Sequence, residues 1–305
     1  MNILVTGSTG LLGTNLVKKL KADHHQVTGV SRRTGIDLRF MDLASMVMNN
    51  TKPEVVYHLA ANAAESRGQI SPIDMTERNI LVFVNVLRAA INAKVKRFVY
   101  ISSAAVYGEV TVPYKEDGET DPADVYGVNK LACEQILKIM AKVYDFEFVI
   151  FRPHNLYGPH QNMNDPYRNV VALFMRRLIE GEPYKLFGEG KMRRAFSYVE
   201  DVVDVLVDAL NEKFTNQTVN VGSDNDISIK DLSDLIQEVT ELEAKIDYEQ
   251  ARPQEISMFL ADHALQNTLT KYKETPIKEG LLKTWEWAKK KELGQLEKQR
   301  NEIYV

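Results

Sequence analysis

The chain has 305 residues, enough for one large domain and a smaller one, and its 44% hydrophobic and 26% charged residues are those of an ordinary globular protein. A net charge of −4 argues against a protein built chiefly to coat nucleic acid. The single cysteine, Cys133, excludes an intramolecular disulfide, and the opening "MNILVTGSTG" carries neither a basic leader nor a long apolar run, so a cytoplasmic location without membrane attachment is expected.

In chain order, "NILVTG" predicts a strand, "LLGTNLVKKLKA" an amphipathic helix and "QVTGVSR" a second strand. The strands continue at "EVVYHLAA", "VKRFVYISS" and "FEFVIFRP", with helices at "NILVFVNVLRAAINA" and "VNKLACEQILKIMAKVY". Short apolar strands alternating with helices call for an α/β fold, a doubly wound parallel sheet of the Rossmann type. After about residue 160 the pattern shifts to a loop, a helix and a short strand in "DPYRNVVALFMRRLIEGEPYKLFGEG". A helix at "VEDVVDVLVDALNEK" and a strand at "QTVNVGS" then return to the sheet. The expected division is a dinucleotide-binding domain over 1–165, with returning segments near 195–225, and a smaller interleaved C-terminal substrate domain over 166–305. The charged end "LLKTWEWAKKKELGQLEKQRN" reads as a solvated surface helix.

"TGSTGLLG" sets Gly7, Gly10 and Gly13 between the first strand and the first helix. In that context the first glycine permits a tight turn, the second lets a pyrophosphate approach the backbone, and the third lets helix and strand pack closely. The helix N-terminus supplies unpaired N–H groups for the phosphates. Where NAD sites carry an acid for the ribose 2′-hydroxyl, the second strand ends in Ser31, Arg32 and Arg33, which suits the 2′-phosphate of NADP. Asp42 and Leu43 are placed to edge the adenine.

Tyr126 and Lys130 in "YGVNK" are four apart and share one helix face. An ammonium beside a phenol lowers its pKa of about 10 toward the range of a general base. Ser103, at the end of a central strand, is placed to hydrogen-bond the reacting oxygen, while Ser102 is read as a strand-end cap. A Tyr–Lys pair alone is weak evidence; behind a dinucleotide turn and a serine-ended strand it predicts proton abstraction coupled to hydride transfer. No histidine, cysteine and carboxylate cluster suggests a metal.

These motifs, with "VVYHLAA", "VKRFVYISSAAVYGE", "RPHNLYGP", "GEGKMRRAFSYVEDVVDVL", "VNVGS" and "ARPQE" in that order, make the sequence resemble the extended short-chain dehydrogenase/reductase family, the nucleotide-sugar epimerases and dehydratases. The resemblance implies a bound NAD or NADP and a nucleoside-diphosphate sugar lying across a domain cleft. It makes Ser103, Tyr126 and Lys130 the catalytic trio and adds Leu11, Leu12, Leu59, Ala60, Ala61 and Pro153 to the cofactor contacts. Asn155, Arg194 and Arg252 match contacts to the substrate diphosphate, and Phe187 a base-stacking position. Family dehydratases place acids directly after the catalytic hydroxyl residue; here stand Ala104 and Ala105, which favours epimerisation at C4. His154 replaces the aromatic residue common in epimerases, and either an acid/base or a packing role is open to it. Family members pair the helices at "LVFVNVLRAA" and "ACEQILKIMAK" into a dimer seam, so a homodimer is expected. The alternatives are an NADPH-consuming reductase/epimerase of a 4-keto sugar and a non-catalytic dinucleotide sensor.

Overall fold

The chain opens with β1 (Asn2–Thr6), α1 (Leu11–Ala22), β2 (Gln26–Val30), α2 (Met41–Thr51) and β3 (Val55–His58) in the computed structural model, which describes residues 1–165, 169–224, 226–251 and 258–290. Next come α3 (Glu65–Ile70), α4 (Pro72–Thr76) and a π turn (Glu77–Leu81) that runs into α5 (Val82–Asn92). β4 (Arg97–Ile101), α6 (Val125–Tyr144) and β5 (Glu147–Pro153) follow. The remainder begins with β6 (Leu156–Tyr157), α7 (Val170–Glu180), β7 (Tyr184–Phe187), β8 (Arg193–Ala195), β9 (Ser197–Tyr198) and α8 (Val199–Asp208). It ends with β10 (Gln217–Val221), β11 (Asp226–Ser228), α9 (Ile229–Thr240), β12 (Ile246–Glu249), β13 (Met258–Phe259), α10 (Ala264–Leu269) and α11 (Ile277–Lys290).

These elements form two interleaved units. The first comprises Met1–His154, Val202–Val221 and Ala261–Tyr272; the second Asn155–Asp201, Gly222–Leu260 and Lys273–Val305.

In the first unit six strands pair in parallel in the order β10-β5-β4-β3-β1-β2, as the alternation of apolar strands and helices predicted. Ile3 sits between Val27 and Val55, and Tyr100 between His58 and Ile150. The chain steps from β1 outward to β2 and then crosses to β3 on the other side, so the topological switch point lies between β1 and β3. β3 and β4 are buried along their whole length, which is why they read as unbroken apolar runs. Between sheet and α5 lies a ring cluster: Phe83 stands 4.9 Å from Tyr100 and edge-on to Phe98 at 6.0 Å, with His58 inside the group. At the opposite end of the strands, buried Arg97 donates to the carbonyl oxygens of Ala209 (2.6 Å) and Asn211 (3.0 Å) and pairs with Glu147, tying the segment after α8 to the sheet.

The second unit has its own core, in which Phe174 of α7 stacks on Tyr184 of β7 at 4.0 Å. Its strands make small sheets, β11-β8-β13, β12-β7 and β6-β9. One expectation is corrected here. The charged C-terminal helix is not simply solvated, because within α11 Leu281, Thr284, Trp285 and Ala288 are buried, three of them in this core. Gly280 makes the approach possible: a Cβ there would lie 2.2 Å from the Tyr157 hydroxyl. Residues 291–301 of that expected helix lie outside the described residues.

Phe83→Ala is expected to cost about 3–5 kcal/mol through lost burial and the cavity left among Phe98, Tyr100 and His58. Urea unfolding followed by far-ultraviolet circular dichroism measures it; an unchanged transition would show that the ring cluster does not carry the core.

Candidate active site

The glycine turn sits at the switch point. Gly7 has φ +70°, and a Cβ there would meet the backbone of Leu59 and Ala60 at 2.8 Å, so the turn rests directly on the end of β3. A Cβ on Gly13 would lie 2.3 Å from the Gly7 carbonyl oxygen, which closes α1 onto β1. Gly10 differs: an added Cβ would meet only the Gly7 oxygen, at 3.4 Å. Gly10 is also the N-cap of α1 and has no side-chain cap, so the N–H groups of Leu11, Leu12 and Gly13 have no intrahelical acceptor. An open glycine face above free N–H groups fits a pyrophosphate. The residues present therefore suit a dinucleotide, with Leu59, Ala60 and Ala61 along the adjoining edge.

At the end of β2, Ser31 is buried and caps a short 3₁₀ turn, Arg32–Thr34. Its hydroxyl oxygen accepts from the Thr34 N–H (3.3 Å) and from the Thr9 hydroxyl (3.1 Å). Arg32 and Arg33 are exposed on that turn. Asp42 and Leu43 lie in the first turn of α2, Asp42 exposed and Leu43 half-buried. The preceding loop holds Asp37 and Leu38, which the sequence reading passed over. There Arg39 grips the Asp37 carboxyl and holds its pKa below the ordinary range, and Asn85 Nδ2 donates to the carbonyl oxygens of Leu38 (3.1 Å) and Arg39 (2.8 Å).

Ser103, Tyr126 and Lys130 meet at the carboxyl end of β4. Ser103 caps the 3₁₀ turn Ala104–Val106, its Oγ accepting from the Ala105 N–H at 3.1 Å. α6 starts at an Asp124 cap, whose carboxylate accepts from the Gly127 N–H at 2.7 Å. A Cβ on Gly127 would lie 2.5 Å from the Ala105 carbonyl oxygen, so only glycine lets the first turn of α6 reach the Ser103 turn. Tyr126 and Lys130 are both buried. Lys130 Nζ donates to the Ile101 carbonyl oxygen at 2.6 Å and stands 5.7 Å from the Tyr126 ring centroid and 4.9 Å from that of Tyr100. Burial pushes the Lys130 ammonium down from 10.5 to about 8, with Cys133 and Glu134 pulling the other way. Beneath it, burial drives His58 down to about 3, with the Lys130 charge adding to the effect, and its Nδ1 lies 3.0 Å from Thr6 Oγ1.

Pro153 closes β5, and the next residue, His154, is buried with its Nε2 3.1 Å from Nε2 of His263. One of the two nitrogens must donate and the other accept. In the second unit Asn155, at φ +40°, donates to the Ala195 carbonyl oxygen (2.9 Å), beside half-buried Arg194 on β8. Phe187 ends β7 and is half-buried. Arg252 lies outside the described residues. Among the described residues no group of three side chains could hold a metal ion, and no helix is long and apolar enough to cross a membrane.

The sequence reading also passed over Glu134 and Arg152. These form a buried ion pair behind the site, with Arg152 Nη2 2.7 Å from Glu134 Oε2. Glu134 continues the face of Tyr126 and Lys130 by one more turn, which is the only sign of it in the sequence.

A glycine turn at the switch point of a doubly wound parallel sheet defines the class of Rossmann-type dinucleotide-binding proteins. Residues 3–222 match the NAD dependent epimerase/dehydratase family, and the chain belongs to that family of enzymes. Over 255 residues it is 33% identical to the UDP-glucose 4-epimerase of Mycolicibacterium smegmatis, a match spanning 76% of this chain and 80% of that protein. It is similar to the structure of UDP-glucose 4-epimerase from Thermotoga maritima with UDP-glucose, at 28% identity and a TM-score of 0.89, over 95% of this chain and 99% of that one. The UDP-glucuronic acid 4-epimerase of Bacillus cereus, in complex with UDP-glucuronic acid and NAD, matches at 26% identity and a TM-score of 0.85, again over 95% and 99%.

Because the folded pKa of Lys130 lies below its ordinary value, the unfolded chain holds the extra proton between about 8 and 10.5. Stability therefore rises as pH climbs through that window, and the burial cost is carried in full below it. Lys130→Met is expected to flatten the rise. Unfolding midpoints of both proteins at about pH 7 and about pH 9.5 test this, and identical pH dependence in the two would refute the buried titration.

Proposed function

We propose that the protein is a nucleotide-sugar 4-epimerase in which Tyr126 is the base. The observation that carries this reading is the turn Ser103-Ala104-Ala105 set against the buried Tyr126–Lys130 pair. The Lys130 charge favours the Tyr126 phenolate, which accepts the proton of the sugar C4 hydroxyl; the Ser103 hydroxyl donates to that same oxygen. A nicotinamide held beside Pro153 would supply the hydride acceptor and donor for C4, and the residues around it orient that carbon and move its hydroxyl proton. Tyr126 then gives the proton back. Ala104 and Ala105 offer no acid to expel water, and elimination without one loses a factor of about 10²–10⁴. The first unit is proposed to hold the dinucleotide through Gly7, Gly10, Leu11, Leu12, Gly13, Leu59, Ala60, Ala61 and Pro153. The second contributes Asn155 and Arg194 to the sugar diphosphate and Phe187 to the base, and Arg252 joins them on the family pattern alone. A guanidinium suits a phosphate better than a bare hydroxyl, so exposed Arg32 and Arg33 beside Ser31 favour NADP over NAD.

A homodimer through α5 and α6 belongs to the same reading. Val128, Ile139 and Val143 are all exposed and lie on the side of α6 away from Tyr126 and Lys130. Beside α5, Pro72, Ile73, Ile80, Leu81 and Val84 line an apolar groove. Unpartnered apolar surface of this kind on two neighbouring helices is costly in water.

The purified protein, incubated with UDP- and GDP-hexoses and no added cofactor, is expected to yield the C4-inverted sugar by proton NMR. Tyr126→Phe should slow turnover about 10²–10⁴-fold. The dinucleotide released by heat should carry a 2′-phosphate by mass spectrometry. Turnover that waits for stoichiometric NADPH would replace this reading with that of a reductase, and no chemistry under either condition would leave a dinucleotide sensor. Ile139→Asp with Val143→Asp is expected to convert a dimer to a monomer in analytical ultracentrifugation; a wild-type monomer would rule out the seam.

A further inference from the structure

Behind the candidate site lies a buried polar network, three of whose members, Ser102, Glu134 and Arg152, are each one step from a site residue. Glu134 and Arg152 are its centre, with side chains 1% and 3% exposed. Arg152 grips the carboxylate with two donors, Nε to Oε1 (3.0 Å) and Nη2 to Oε2 (2.7 Å). The Ser102 hydroxyl also donates to Oε1. The remaining guanidinium nitrogen, Nη1, donates to the Tyr107 hydroxyl (2.8 Å) and the Glu116 carbonyl oxygen (3.2 Å). The Tyr107 hydroxyl donates to Asn220 Oδ1 on β10 (2.7 Å), and Asn220 Nδ2 donates to the carbonyl oxygens of Tyr114 (2.9 Å) and Asp262 (3.2 Å).

A buried ion pair is poor value as stabilisation, because desolvating two charges offsets their attraction. What a bidentate pair does supply is direction, since a guanidinium fork fits a carboxylate in few orientations. Here the directions fixed are those of the site. Ser102 is the residue before Ser103 at the end of β4, Arg152 the residue before Pro153 at the end of β5, and Glu134 the next turn of α6 after Lys130. Three elements that bear the proposed chemistry are joined through one carboxylate. Its charge also opposes the burial that drives the Lys130 proton away.

We propose that Glu134, held by Arg152 and Ser102, is a positioning residue that sets α6 against the ends of β4 and β5, so that Tyr126 and Lys130 meet Ser103 in working register. The proposal rests on the reading of Tyr126 as base. A misplacement on the order of 1 Å at a reacting group costs about 10²-fold in rate. Glu134→Gln keeps the shape but removes the charge and turns one of the two acceptors that Arg152 grips into an NH2 donor. With UDP-glucose as the probe, this variant is expected to lose about 10²-fold in kcat with KM changed by less than about 3-fold. The paired change Glu134→Leu with Arg152→Met replaces the ions by apolar groups of similar size. It is expected to regain the melting temperature but not kcat, and it decides the matter alone should Glu134→Gln fail to fold.

A kcat that recovers in step with the melting temperature would make the pair merely structural and overturn the proposal. Tyr126→Phe, run alongside, separates the two readings. An inactive Tyr126→Phe with a fully active Glu134→Gln defeats this proposal alone, whereas an active Tyr126→Phe defeats the base assignment and this proposal with it.

Discussion

A buried ammonium needs acceptors, and Lys130 finds one in the carbonyl oxygen of Ile101, at the point where β4 runs out of sheet partners. Much of the site follows from that bond. It draws α6 down against the strand end, which demands a glycine at 127 so that the helix can approach the Ala104–Val106 turn. It also brings the Tyr126 ring within reach of the same charge. A parallel sheet covered on both faces has free backbone groups chiefly at its strand ends, so the carboxyl edge is where a helix can find such an anchor.

Much of this was legible in the sequence because it depends on local chemistry. The apolar runs that became β1, β3, β4 and β5 are continuous because those strands are buried on both sides. The glycine turn declared itself through its spacing, and Gly7 and Gly13 are indeed positions where a Cβ would strike backbone. Tyr126 and Lys130 were visible as a four-residue step on one helix. What escaped was long-range. Glu134 gains its meaning from Arg152, 18 residues on and in another element. The apolar stripe of α11 was hidden among lysines and glutamates, and only a core to receive Leu281 and Trp285 reveals it. The Ser31 hydroxyl also has a structural role that its place in the sequence did not disclose, accepting from the Thr34 N–H and the Thr9 hydroxyl. Side-chain type alone cannot say which backbone groups a hydroxyl also caps.

In the proposed 4-epimerase reading, the two alanines after Ser103 matter for what they lack. Ala104 is fully buried and Ala105 half-buried, so the turn is packed by methyl groups where an acid could have stood.

The division into interleaved units bears on how the protein is made. The chain passes between the units five times, and the sixth strand of the large sheet, β10, comes only after residues 155–201 have been assigned elsewhere. Domains usually complete themselves in order as they leave the ribosome. Here the N-terminal unit cannot, because its last segment ends at Tyr272. Until Gln217–Val221 emerges, β5 is an open sheet edge with unpaired backbone, the kind of edge that recruits foreign strands. A nascent chain that ends between β5 and β10 therefore carries that edge uncovered, and synthesis of residues 155–216 sets how long it stays so.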